Sequence, residues 1–208
     1  MQPEIVCMGE PMIELNQTDP KEKRYLRGFG GDTSNCAIAA ARQGGKVGYL
    51  TALGQDGFGD AFVELWRQEG VDSSRVLRDP SAHTAVYFVT HGKSGHEFSY
   101  LRAGSAASRM KPEDVPADYI SGAKALHVSG ISQAISATAC DAVFAAIDAA
   151  RAGGTLVSYD TNLRKRLWPM PRARAIVEAT AALADIVKAS IEDAEALTGL
   201  SDVDAILD

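Results

Sequence analysis

The second half of the chain repeats one unit: a short apolar run, a helix-length stretch, then another apolar run. Ala125-Leu126-His127-Val128 is a strand that ends at Ser129-Gly130, and Ala137 to Ala152 is an alanine-rich helical segment closed by Gly153-Gly154. Thr155 to Tyr159 is the next strand and ends at Asp160. Arg172 to Ala184 is helical, Ile186-Val187 is a further strand, and Glu192 to Leu197 is a short helix closed by Gly199. The start has the same texture. Ile5 to Met8 is an apolar strand ending at Gly9-Glu10, Val47 to Leu53 is a second core strand, and Gly57 to Glu69 carries Phe58, Phe62, Leu65 and Trp66 on one helical face. Strands that are apolar throughout are buried on both faces, and parallel neighbours need a crossover helix. The spacing therefore predicts an α/β, doubly wound domain, a parallel sheet with helices on both faces. In such a sheet the ligand crevice lies at the carboxyl ends of the strands. Glu10 stands at one of those ends, where it is either a ligand contact or a solvated turn carboxylate.

The texture changes in the middle. Arg75 to Arg78, Ala85 to Thr90 and His96 to Arg102 alternate and are rich in Val, Tyr and Phe, with Asp79-Pro80-Ser81 and Gly92-Lys93-Ser94-Gly95 between them. These are expected to be consecutive antiparallel strands. The meander predicts a small β lid over residues 74–102, projecting from a main domain of residues 1–73 and 103–208. Residues 16 to 27 are polar and are expected to form a loop.

Charge and cysteine content exclude several classes. A net charge of −6 argues against a nucleic-acid or anionic-membrane surface. Cys7, Cys36 and Cys140 are sparse and show no C-x-x-C spacing, which fits buried thiols in a reducing, cytoplasmic setting. Glu4 and Glu10 flank the first apolar run, so it is not expected to act as a signal peptide.

Gly28 to Ala41 begins as a glycine-rich loop and becomes a helix. Gly30 and Gly31 let backbone approach a ligand closely. Asp32 or Thr33 is expected to cap the first turn. Asp32 and Asn35 share a face near the helix N-terminus, where an acid and an amide suit a polyhydroxylated ligand. An ordinary loop-to-helix connection has the same appearance.

Tyr87, Tyr100 and Arg102 lie on the lid strands, and Tyr100 and Arg102, two apart, share a sheet face. A tyrosine offers a hydroxyl and an apolar ring to a sugar, and Arg102 offers a planar fork that grips a carboxylate. A solvated cross-strand pair is the alternative. Asp160-Thr161-Asn162 follows a strand, and Arg164-Lys165-Arg166 adds positive charge beside it in an otherwise acidic chain. A positioned cation stabilises a transferred phosphoryl group, and a solvated basic loop is the alternative.

Together these stretches carry a resemblance. Gly30-Gly31-Asp32-Thr33-Ser34-Asn35-Cys36-Ala37, followed by Gly54-Gln55-Asp56-Gly57-Phe58-Gly59, is similar to the sugar-side signature of the ribokinase (PfkB) family of carbohydrate kinases. Tyr100 to Ser108 resembles the lid segment of the 2-keto-3-deoxygluconate kinases, and Asp160-Thr161-Asn162-Leu163-Arg164 followed by Leu167-Trp168 is similar to a motif they share with fructokinases. The resemblance implies a ribokinase-like fold, ATP with Mg2+, and phosphorylation of a sugar acid, 2-keto-3-deoxygluconate, on its terminal hydroxyl. Fructokinase and a non-catalytic sugar-binding protein are the alternatives. It also implies a sugar site of Gly30, Gly31, Asp32, Asn35, Tyr87, Tyr100, Arg102, Ile131 and Arg164, with Asn162, Arg164 and Ser190 toward the nucleotide. Such lids often pair between subunits, so a homodimer through the lid is expected.

Family members generally have Asn-x-x-Glu where this chain has Ser190-Ile191-Glu192-Asp193. Asp193 is expected to hold magnesium through water, and a plain serine cap with acidic residues in the first turn is the other reading. Family resemblance further expects an Asp-Thr-x-Gly-Ala-Gly-Asp stretch whose last Asp is the base. After Gly154 the only glycine is Gly199, so the base is expected beyond Asp208 and the 208-residue chain alone is expected to be inactive. Other motifs fail. Gly92-Lys93-Ser94 has Tyr87 where a P-loop needs its first glycine, Gly28-Phe29-Gly30 lacks the third glycine of a dinucleotide fingerprint, and the four histidines have no metal-ligand spacing. His127, inside an apolar strand, is expected to be a satisfied core residue.

Overall fold

A computed structural model describes residues 2–19, 21–92 and 95–207. The chain opens with strands β1 (Ile5–Met8), β2 (Met12–Gln17) and β3 (Tyr25–Gly30), then helix α1 (Asp32–Arg42). Strands β4 (Val47–Leu50) and β5 (Ala52–Gly54), helix α2 (Gly57–Gln68) and strand β6 (Leu77–Asp79) follow. A hairpin comprises β7 (Val86–Gly92) and β8 (Gly95–Leu101). The remainder is α3 (Ala117–Ser121), β9 (Ala125–Ser129), α4 (Gly130–Ala134), α5 (Ala137–Gly153), β10 (Leu156–Asp160), α6 (Met170–Ala181), β11 (Ile186–Lys188), α7 (Ile191–Thr198) and α8 (Val203–Leu207).

Five parallel strands form the central sheet in the order β11-β10-β9-β1-β4. The alternation of side chains along each strand divides the core in two. Val6, Met8, Leu126, Val128, Val157 and Tyr159 face α5 and α6, where Ala142, Val143, Ala146 and Ile147 are small enough for close packing. Cys7, Val47 and Tyr49 face α1 and α2, where Ala37, Phe62 and Trp66 cover them. Burial of these side chains, at about 25 cal/mol per Å² of apolar surface, is the main driving force for the two layers. On the α1 side the cover extends over β4 and β1 and reaches β9, but not β10 and β11. Leu156 and Ile186, in register with Ala125 and Ser158 on that face, are exposed. Among the described residues no helix is long and apolar enough to cross a membrane.

The second sheet corrects the expected lid boundaries. It has the order β3-β2-β7-β8, with β2 parallel to β7 and the outer pairs antiparallel. Residues 12–17 and 25–30 therefore belong to it, although the polar stretch 16–27 has the look of a loop. These strands are half solvated, so polar residues line one face while Ile13, Leu15 and Phe29 turn inward to the core. The expected first lid strand is elsewhere. Leu77–Asp79 pairs in parallel with Ala52–Gly54 in a separate two-stranded sheet, which also ends the expected core strand Val47 to Leu53 at Leu50. The expected turn between β7 and β8 includes Lys93 and Ser94, which lie outside the described residues.

Candidate functional site

The carboxyl ends of β1, β9, β10 and β11 meet the N-terminus of α1 and the base of the lid. Gly31 makes this convergence feasible. It sits at φ 110, and a Cβ there would stand 2.7 Å from the Glu10 carbonyl oxygen and 2.9 Å from Pro11 Cα. Gly30 ends β3 beneath Tyr87, whose hydroxyl would be 2.6 Å from an added Cβ. Gly31, with no side chain to offer, is the N-cap of α1, which corrects the expected cap by Asp32 or Thr33. Asp32 is inside the first turn instead, where its Oδ1 accepts from the Thr33 amide at 2.9 Å.

Asp32 and Asn162, 130 residues apart, are brought together: Asn162 Nδ2 donates to Asp32 Oδ2 at 2.8 Å. Asn162 has φ 33, in the left-handed region that asparagine tolerates, and its amide donates to Asp160 Oδ1 at 3.2 Å. The side chain expected to face a nucleotide is therefore turned to Asp32. Asn35 is exposed on the same end of α1, and Ile131 is half-buried in the first turn of α4.

Under the lid, Tyr87 and Tyr100 stack with centroids 5.9 Å apart, and the Arg102 guanidinium lies 5.7 Å from the Tyr100 ring centre. Tyr87 also donates to Glu14, and burial and that carboxylate push its pKa up. The three side chains are thus neighbours, and Arg102 has a partner within the protein that no sequence motif indicated. Arg102 donates from Nε (2.9 Å) and from Nη2 to Glu10 Oε2, while Ser105 Oγ donates to Glu10 Oε1 at 2.6 Å. Glu10 is 1% exposed, and burial raises its pKa against the opposing pull of Arg102 and Ser105. Arg102 Nη1 makes no hydrogen bond to the described residues.

Around β10 and β11 the basic stretch is solvated. Arg164 is exposed and donates only to its neighbour's carbonyl, Leu163 O, at 3.1 Å. Lys188, which no sequence motif marks, pairs with Asp160 at 3.0 Å. Ser190 caps α7 by accepting from the Asp193 amide at 3.1 Å. Asp193 Oδ2 accepts from Thr161 Oγ1 (3.0 Å) and the Leu163 amide (2.8 Å), so it clamps the 161–163 loop. Asp193, the carboxylate expected to carry magnesium through water, thus has Oδ2 engaged in holding the loop, and no group of three or more metal-ligating side chains occurs among the described residues. For ATP, the exposed Arg164 and Lys188 fit the phosphate end of a nucleotide.

The fold and this crevice define a ribokinase-like α/β protein with a β lid. Residues 2–208 match the family model described as "pfkB family carbohydrate kinase", and the chain belongs to that family. It is 37% identical to a 2-dehydro-3-deoxygluconokinase of Thermoproteus tenax over 95% of this chain and 62% of that one. It is 34% identical to probable fructokinase-2 of Arabidopsis thaliana, over 96% and 63%. The crystal structure of a PfkB protein from Polaromonas sp. JS666 superposes with a TM-score of 0.93 at 32% identity, covering 98% of this chain and 71% of that one. A fructokinase with bound ATP from Xylella fastidiosa gives 0.87 at 30%, covering 100% and 64%. The chain thus spans just over three fifths of the length of the curated relatives it matches.

Asn162 provides a test of the join between the two halves of the crevice. Asn162→Gly removes the bond to Asp32 but keeps the backbone at ease, and should lose about 1 kcal/mol in urea denaturation. Asn162→Ala loses the same bond and adds left-handed strain, for a further loss of about 1 kcal/mol. Equal stabilities for the two variants would contradict the backbone part of this account.

Proposed function

We propose that this chain forms the sugar-binding portion of an ATP-dependent sugar-acid kinase, whose substrate is 2-keto-3-deoxygluconate and whose product is the 6-phosphate. The observation that carries the reading is the lid cluster: two stacked tyrosines and a guanidinium with one free nitrogen, Arg102 Nη1, over the end of β1. Tyr87 and Tyr100 offer ring faces and hydroxyls to the sugar, Asp32 and Asn35 offer polar groups from α1, and Arg102 Nη1 holds the acid group. Gly30, Gly31 and Ile131 shape the floor. ATP, when bound, supplies the γ-phosphoryl group, and Arg164 lies free to approach its charge.

One observation favours a second reading, phosphorylation of a neutral ketose such as fructose. Glu10 already balances the charge of Arg102, which lessens the pull on a substrate carboxylate. The base and the phosphate-binding glycine stretch belong, on either reading, to the part of the relatives' length that this chain does not span.

Ligand-induced thermal shifts of this chain with 2-keto-3-deoxygluconate and with fructose separate the readings. The sugar acid should stabilise the chain, and Arg102→Ala should weaken that binding by about 1.5–3 kcal/mol, the range for a charged hydrogen bond. A shift with fructose only, unchanged in Arg102→Ala, sinks the sugar-acid reading.

The lid also supports a homodimer. β8 is exposed along its length, and Leu26, Phe98 and Leu101 are exposed on the same small sheet, which has two unpaired edges. A second copy related by two-fold symmetry covers such an edge. Light scattering at micromolar concentration should give twice the 22.0 kDa chain mass, and a monomer there refutes the assembly.

A further inference from the structure

Two of the three cysteines and one histidine meet on the α1 side of the central sheet, outside the groups assigned to sugar or nucleotide. Cys7 on β1 and His127 on β9 are register neighbours. Cys36 lies in α1, which packs across both strands, and it rests against the apolar cluster that contains Cys7. His127 has a hydrogen-bond partner, as expected of a satisfied residue in this strand. Its Nδ1 lies 3.1 Å from Ser158 Oγ, which fixes the ring at the border between the covered and uncovered parts of the sheet.

The charges around this group come from every element that touches it. Asp32 approaches from α1, Asp160 from β10, and the buried Tyr49 hydroxyl from β4, where it is 2.8 Å from Thr33 Oγ1. The Cys7 thiol and then the His127 ring stabilise the Cys36 thiolate and hold its pKa down at about 5, against burial. Cys7 is pushed well up by the neighbouring Cys36 and by burial. Burial disfavours the charged ring of His127, yet Cys36, Asp32 and Asp160 keep its pKa above the ordinary value. Cys140, on α5, is raised by burial and has no such partners. A half-exposed thiolate next to a buried neutral thiol is the arrangement of an attacking and a resolving cysteine.

We propose that Cys36 is an oxidation site for hydroperoxides and that Cys7 resolves it as an intramolecular disulfide. In the first step the Cys36 thiolate attacks the O–O bond of the peroxide. A sulfenic acid forms on Cys36, the other oxygen leaves as hydroxide and takes up a proton, and sulfur is oxidised as peroxide is reduced. In the second step Cys7 attacks that sulfur, the S–S bond forms, the C36 S–O bond breaks, and water leaves with the Cys7 proton. The bridge draws α1 onto β1, two turns or less from Asp32. It depends on the packing of α1 against the sheet and not on which sugar the crevice takes.

The three cysteines fall in three different tryptic peptides, so mass spectrometry reads them separately. The folded chain is treated with graded hydrogen peroxide at pH 7, and remaining thiols are then alkylated. Cys36 and Cys7 should disappear together into one cross-linked peptide while Cys140 stays alkylated. In the untreated chain at pH 6, Cys36 should alkylate with iodoacetamide at least tenfold faster than Cys140. His127→Ala should abolish most of that advantage, and Cys36→Ser should leave Cys7 a free thiol after peroxide. Equal alkylation of Cys36 and Cys140 overturns the proposal, and so does a Cys36 oxidised with Cys7 still alkylatable.

Discussion

The structure depends on one buried carboxylate. Glu10 follows strand β1 of the central sheet, is almost wholly enclosed, and accepts from Arg102 and Ser105. Both donors belong to the segment that leaves the lid after β8, so this contact joins the sheet to the lid. The join continues away from the crevice. The Ser108 amide donates to Ser105 Oγ at 3.3 Å, and Ser136, the N-cap of α5, donates to the Ser108 carbonyl at 2.6 Å. A charge buried in this way is tolerable only when paired and hydrogen-bonded, and removing one partner of such a pair typically costs about 3–5 kcal/mol. The lid side chains are therefore held in position by core electrostatics as well as by strand pairing.

The crevice is closed on its other side by neutral and half-neutralised contacts. Asn162 reaches Asp32, Asp193 clamps Thr161 and Leu163, and Lys188 balances Asp160. The result is a crevice whose acids are largely occupied by the protein itself, while Arg164 and one nitrogen of Arg102 are free to meet a ligand.

Much of this was legible in the sequence where local pattern decides structure. The apolar runs at 5–8, 125–129 and 156–160, and the alanine-rich helix closed by Gly154, form as the periodicity predicts. Gly30, Gly31, Tyr87, Tyr100 and Arg102 all converge on one crevice. The strands β2 and β3 were not legible, because each hides few side chains and their polar alternation imitates a loop. The partners of Arg102, Asn162 and Asp193 were not legible either. They lie 92, 130 and about 30 residues away, and no local signal encodes a pairing across such distances. Glu10 carried the one available hint, a lone carboxylate directly after a strand that must be buried on both faces.

A double-mutant cycle on Glu10 and Arg102 tests the join most directly, using near-isosteric neutral replacements and urea unfolding followed by the fluorescence of Trp66 and Trp168. Glu10→Gln and Arg102→Met each leave one buried charge without its partner, whereas the double variant leaves none. The account predicts a coupling energy of at least about 1.5 kcal/mol, with the double variant more stable than one or both single variants. Losses that add to within about 0.5 kcal/mol would mean that the two side chains do not depend on each other, and that the lid is held by something else.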